Sequence, residues 1–133
     1  MSDPITLHLQ GYVDNLMGTK HFTAMAIVGR TMPTTIVASP GFPLDEVAIQ
    51  SLLGLADTPN STAVELMLSA EKTRYLLTTH HENGFILKRG GNGVVTVHTE
   101  KYWLIGLHDD KTKAEIVLND MQRVASYLLR HGF

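Results

Sequence analysis

Thr73 to Leu107 reads TRYLLTTHHENGFILKRGGNGVVTVHTEKYWLIGL. Four apolar or β-branched runs stand out in it: Thr73–Thr79, Phe85–Lys88, Val94–Thr99 and Tyr102–Leu107. Between them lie Glu82-Asn83-Gly84, Gly90-Gly91-Asn92-Gly93 and Glu100-Lys101. Asn-Gly is the favoured pair where a two-residue turn needs positive φ. Parallel neighbours need crossovers of roughly a dozen residues or more, so connections this short force antiparallel pairing. The stretch predicts consecutive hairpins in one antiparallel sheet.

Working outward, Val64–Leu68 reads as a further strand, and Asp57–Thr62 before it as a loop or short helical turn. Ala24–Gly29 and Thr34–Ser39 are two more strands, joined through Arg30-Thr31-Met32-Pro33. Pro40-Gly41-Phe42-Pro43 breaks the pattern. A helix is expected from near Pro43, with Asp45 and Glu46 in its first turn, where the helix dipole favours negative charge. Val47, Ile49, Leu52 and Leu53 supply its apolar side, and Gly54 ends it. At the N-terminus Asp3 caps a helix and Pro4 suits its first position. Ile5, Leu9, Tyr12, Val13 and Leu16 recur at helical spacing, and Gly18 is the expected C-cap. Thr112–Arg130 is the last helix, with Val117, Met121, Val124, Ala125 and Leu128 on one face. The order predicts an α+β fold, an antiparallel sheet of about six to seven strands covered by helices.

A length of 133 residues suits one domain, expected over 1–133. With 44% hydrophobic and 18% charged residues, the chain excludes a disordered tail or fibrous repeat. The formal charge of -2 lacks the positive excess of a general nucleic-acid binder, so no nucleic acid is expected. Zero cysteines exclude disulfides and thiolate zinc sites. No apolar run approaches the roughly 20 residues that span a bilayer. Met1-Ser2-Asp3-Pro4 lacks a signal-peptide start, so a cytoplasmic protein is expected.

Motifs for catalysis are missing: no Gly-x-Ser-x-Gly elbow, Walker loop or His-Glu-x-x-His occurs. Ser39 and Asp45 have no histidine at a recognisable spacing. His80 and His81 are adjacent, and neighbours on a strand point to opposite faces, so they would not readily share one ion. With His98 and His108 they read as scattered histidines; no metal and no cofactor is expected. Lys88-Arg89-Gly90-Gly91-Asn92-Gly93 reads as a hairpin turn with basic shoulders in preference to a phosphate cradle, since no helix follows it. Lys72 and Arg74 open one strand while Lys88 and Arg89 close the next, so an antiparallel hairpin gathers four cations at one edge. That edge either binds acidic lipid or protein surfaces, or is a solvated edge that blocks unwanted strand pairing. Tyr12, Tyr127 and Phe133 would line a shallow aromatic groove if the terminal helices pack side by side, and such grooves dock proline-rich helices. Ordinary packing is the alternative for the two tyrosines.

Several runs together resemble the profilin family. Gly11-Tyr12-Val13-Asp14-Asn15-Leu16-Met17 is similar to the end of the profilin first helix, and Ala26-Ile27-Val28-Gly29 to its first strand. Ala38-Ser39-Pro40-Gly41 matches an Ala-x-Pro-Gly turn, Glu46-Val47 a Glu-Val pair in helix two, and Val124-Ala125-Ser126-Tyr127-Leu128-Leu129-Arg130 the last helix. The matches keep their order over essentially the whole chain. Leu16–His21, Val37–Phe42 and Asn92–Val95 look closer to the divergent testis-type isoform.

The resemblance implies terminal helices packed together on one face of the sheet and shorter helices on the other. It implies binding without catalysis: a monomeric cytoskeletal protein that holds an actin monomer, docks proline-rich segments and contacts acidic phospholipids. Carried over position by position, the peptide groove is Leu9, Tyr12, Ile36, Tyr127, Leu128 and Phe133. Leu9 and Ile36 stand where the family has two tryptophans, so weakened proline docking is expected; stacking area and indole donors are both lost. Trp103 is expected in the core. The actin and acidic-lipid face is Lys72, Arg74, Lys88, Arg89, Lys111 and Lys113, with Asp109–Ala114 in place of the family's Gly-Val-His-Gly-Gly-like stretch. A second reading is a diverged member that does not hold actin and binds phosphoinositides or a specialised protein partner. A small-ligand sensor or enzyme on a similar sheet is the third class.

Overall fold

The computed structural model describes residues 4–31, 35–69 and 71–133. Its helices are α1 (Pro4–Gly18), α2 (Glu46–Leu53) and α3 (Ala114–Arg130), with one 3-10 turn at Gly54–Asp57. The strands are β1 (Ala24–Gly29), β2 (Thr35–Ala38), β3 (Thr62–Leu68), β4 (Glu71–His81), β5 (Gly84–Arg89), β6 (Asn92–His98) and β7 (Tyr102–His108). They form one seven-stranded sheet in the order β2-β1-β7-β6-β5-β4-β3, antiparallel at every pairing.

The expected hairpins are present, each strand a little longer than its apolar run. One reason for a turn residue differs from expectation. Neither Asn83 nor Gly84 has positive φ. Gly84 is required instead by crowding: a Cβ there would stand 2.0 Å from the backbone oxygen of Thr96. The expected Asp3 cap and Met32 and Pro33 of the Arg30–Pro33 connection lie outside the described residues.

Strand alternation divides the core in two. Met25, Ile27, Ile86, Val95, Val97 and Leu104 face α1 and α3, meeting Leu9, Val13, Leu16, Val117, Met121, Val124, Ala125 and Leu128. Ala24, Ala26, Val28, Phe85, Leu87, Trp103, Ile105 and Leu107 face the other way, onto Leu44, Ala48, Ile49 and Leu52. A sheet buried on both faces explains why its central strands are nearly continuous apolar runs. Trp103 is core, as expected.

Two helix starts fall later than the spacing predicts, because extended cap residues precede them. Asp45 has β backbone angles and its carboxylate accepts the Ala48 N–H at 2.8 Å, so α2 begins at Glu46. Lys113 is extended too, so α3 begins at Ala114. Val47 was expected on the apolar side of α2 but is 73% exposed. Two residues from Ile49 it is rotated by about 200°, away from the buried stripe. Gly54 caps the end of α2, as expected, and the chain tightens from there into the 3-10 turn.

Coverage of the sheet is uneven. On their shared face α1 packs over β1 and β2, and α3 over β6 and β7. The outer hairpin β3–β4 and the end of β5 are left open on that side.

Candidate functional site

Two surfaces follow from this layout. Where α1 and α3 run together, Tyr12 and Tyr127 approach with ring centres 6.3 Å apart. His8 lies edge-on to Tyr12 at 5.0 Å and 6.3 Å from Phe133. His131 is 5.7 Å from Tyr127, and the Arg130 guanidinium is 5.7 Å from the centre of the same ring. The C-terminal residue is tied down: its N–H donates to the Leu128 carbonyl, while its carbonyl accepts from Lys101 N–H and the Thr99 hydroxyl. A shallow depression of about 490 Å³ opens here, lined by His8, Gly11, Tyr12, Asn15, Arg123, Val124 and Tyr127. Burial, then the neighbouring Tyr127, pushes the Tyr12 phenol above its ordinary value, keeping it a neutral hydrogen-bond donor.

The six expected groove residues are not equivalent. Tyr12, Tyr127 and Phe133 are joined by direct or His8-bridged ring contacts. Leu9 and Leu128 are fully buried, holding the helices to the sheet from beneath without presenting surface. Ile36, 37% exposed, sits at the irregularity between the Ile27–Val37 and Val28–Thr35 pairs and lines none of the depression. His8 and His131 were missed. Each lies four residues from a groove tyrosine, the helical spacing that makes neighbours, so the pattern was present.

The second surface is the open part of the sheet. On β4, Tyr75 and Leu77 are buried toward α2, so Lys72, Arg74 and Leu76 face the other way. Lys72 pairs with Met67, Arg74 with Glu65, and Leu76 with Lys88. Met67 and Leu76 are 40% and 44% exposed. Lys88 and Lys113 line one depression beside the start of α3. Arg89 is not with them: strand alternation turns it to the opposite face. There burial pushes the Tyr75 phenol above its ordinary value, and the Arg89 charge partly offsets the rise. Lys111 lies in the turn before α3, where its N–H donates to the Asp109 carboxylate. The edge gathered in sequence is thus split by the sheet, and Lys113 joins it from across the fold.

The adjacent histidines take different partners. His80 Nε2 meets the Thr58 carbonyl, while His81 contacts the Asn83 side chain and the Thr96 carbonyl. No group of three or more His, Asp or Glu among the described residues is arranged to hold a metal ion. Burial pushes the His81 imidazole below 6.5, opposed by its bonds to Asn83 and Thr96. The unfolded chain therefore takes up a proton below pH 6.5 that folded His81 resists, and this contribution to stability is present above 6.5 and lost as pH falls. The thermal midpoint should drop on acidification through this range, and less steeply for His81→Gln. Identical slopes would show that His81 does not contribute.

No helix among the described residues is long and apolar enough to cross a membrane. The family model described as Profilin matches residues 7–133. Profilin-2 of Acanthamoeba castellanii is 34% identical, covering 93% of this chain and 98% of that protein. Profilin-4 of Bos taurus is 28% identical, over 94% and 98%. The structure of Acanthamoeba castellanii profilin IA superposes with a TM-score of 0.79 at 28% identity, covering 93% of this chain and 98% of that one. Two more distant structures share the fold. A LokiProfilin1–rabbit actin complex has a TM-score of 0.74 at 18% identity, over 96% of each chain. Mouse profilin IIa in complex with a double repeat from the FH1 domain of mDia1 has 0.64 at 20%, over 93% and 98%.

Proposed function

The chain belongs to the profilin family, and from that premise we propose that it is an actin-monomer-binding regulator of cytoskeletal assembly acting in the cytoplasm. Residues 1–133 serve as one binding domain in this reading, and catalysis has no part in it. Rabbit actin and an FH1 repeat, the partners in the two complexes above, are the partner classes proposed here.

One observation carries the actin reading. The open sheet face combines exposed Met67 and Leu76 with Lys72, Arg74 and Lys88. Exposed apolar side chains among charges mark a surface made to be covered. Steering charge raises the encounter rate, and the apolar contacts supply affinity. Pyrene-actin assembly tests it: added protein should slow spontaneous filament formation, and no effect at micromolar excess would overturn the reading.

Proline docking is the weaker activity. Leu9 is beneath the surface and Ile36 outside the depression, so Tyr12, Tyr127, Phe133 and His8 remain as ring surfaces. Retention on a polyproline resin should be poor and should vanish for Tyr127→Ala, which removes a half-exposed ring contacting Tyr12 and His131. Strong retention of the parent, or an unaffected variant, would contradict this assignment.

A second reading, acidic phospholipid binding, is favoured by the same cations. Each basic residue near an anionic membrane contributes about 1 kcal/mol. Co-sedimentation with phosphatidylinositol 4,5-bisphosphate vesicles should fall for Lys72→Glu with Arg74→Glu; unchanged binding would remove this face from the account.

A further inference from the structure

The two edges of the sheet are guarded unequally. β2, at one end, has four residues and an irregular register against β1. Shortness and bulges are ordinary ways to spoil an edge for further pairing. β3, at the other end, has neither. Its seven residues keep an unbroken register with β4, from Thr62 opposite Leu77 to Leu68 opposite Glu71. It contains no proline, lysine or arginine, and Glu65 is its one charge. Both ends are pinned. Ser61 and Ser69 take positive φ, 66° and 48°, and their N–H groups donate to the Leu77 and Pro43 carbonyls. On the side away from β4, alternate N–H and C=O groups of β3 face no further strand among the described residues.

Helix α2 packs beside this edge. A groove of about 350 Å³ lies there, lined by Pro43, Asp45, Val47, Ala48, Leu66 and Ser69. Val47, 73% exposed, is the apolar side chain of α2 that its own core leaves outside. Leu66 is buried toward α2, so alternation turns Glu65 to the opposite face of the strand. Glu65 is exposed and has no ion-pair partner among the described residues, although Arg74 stands opposite it on β4. A strand added here meets an apolar groove on one face and an unpaired carboxylate on the other.

We propose that β3 is a docking edge for an extended segment of another protein, one with apolar side chains at alternate positions and a lysine or arginine between them. Main-chain hydrogen bonds extend the sheet by one strand. The apolar side chains enter the groove against Val47 and Leu66. The cation stands across from Glu65, where opposite charges attract. Asp45, on the groove wall, adds to the preference for a basic segment. A second copy of this chain fits less well. Full-length antiparallel pairing of β3 with itself sets Glu65, the central residue, against Glu65, and like charges directly opposite repel. The proposal does not rest on the actin reading, whose cations Lys72, Arg74 and Lys88 belong to the inner strands β4 and β5.

The test is an amide-resonance titration of the whole protein with a capped heptapeptide of alternating valine and lysine. Saturable shifts are expected along Thr62–Leu68 and at Val47. The same peptide with glutamate for lysine should bind about tenfold more weakly. A fully N-methylated version should not bind, since it has no N–H to complete the ladder. Glu65→Lys should weaken the lysine peptide about tenfold and strengthen the glutamate peptide, and Val47→Ser should weaken both about threefold. Both substitutions are at exposed positions, so the fold is kept. Equal binding of the two charged peptides, binding of the N-methylated one, or shifts that avoid β3 would overturn the proposal. Sedimentation of the protein alone tests the other occupant: a dimer strengthened by Glu65→Gln would assign the edge to a second copy and overturn it too. Peptide binding by a protein inert toward actin would leave this edge standing while the actin reading fell.

Discussion

Replacing Phe85 by alanine lowers the unfolding free energy by about 3–5 kcal/mol, a large share of the stability of a domain this size. The ring is fully buried on the α2 side of the sheet. It lies 5.9 Å from Trp103 and 6.0 Å from His80, each in an aromatic contact. Its backbone is locked as well, because the Thr96 hydroxyl accepts from Phe85 N–H and donates to Phe85 carbonyl. Relaxation into the cavity is therefore restricted, which places the cost toward the upper end of the range. Urea unfolding at neutral pH measures it. Phe85→Leu, which refills most of the volume, should lose clearly less. A loss below about 1 kcal/mol for Phe85→Ala would mean that the second core is not packed as described.

Reversing two charges on the open face has the largest expected effect on binding. Arg74→Glu with Lys88→Glu replaces two cations on neighbouring strands by two anions on the side away from the α2 core. Both side chains are exposed, so folding should change by no more than about 0.5 kcal/mol. Against an acidic partner surface, like-charge contacts cost several kcal/mol, or more than about a hundredfold in affinity. Sedimentation with actin monomers measures the loss. Arg89→Glu is the control: it lies on the other face of the same strand and should leave actin affinity within about twofold. Equal losses from Arg89→Glu and Lys88→Glu would show net charge at work and not this face.

The hairpins were legible because turn residues and apolar alternation agree over Thr73–Leu107, and tight connections allow one pairing sense only. Asp45 was placed in the first turn of α2 and is instead its cap, because its carboxylate accepts the Ala48 N–H. Val47 was misplaced because it is apolar next to a buried stripe, and the helical rotation had to be applied residue by residue. Arg89 was grouped with Lys88 by closeness in sequence, although adjacency on a strand separates side chains. Lys113 beside Lys88 depends on how α3 lands on the sheet, and no local pattern carries that. Leu9 entered the groove through likeness to other chains. Its position four residues before Val13, on the buried stripe of α1, already placed it underneath.

Actin is proposed to be gripped by the open sheet face, separate from the aromatic groove between the terminal helices. Titration calorimetry with actin monomers tests that most directly. It predicts one-to-one binding by the parent protein, unchanged for Tyr127→Ala and lost for Arg74→Glu with Lys88→Glu. Undiminished heat from the charge-reversed protein, or none from the parent, would contradict it.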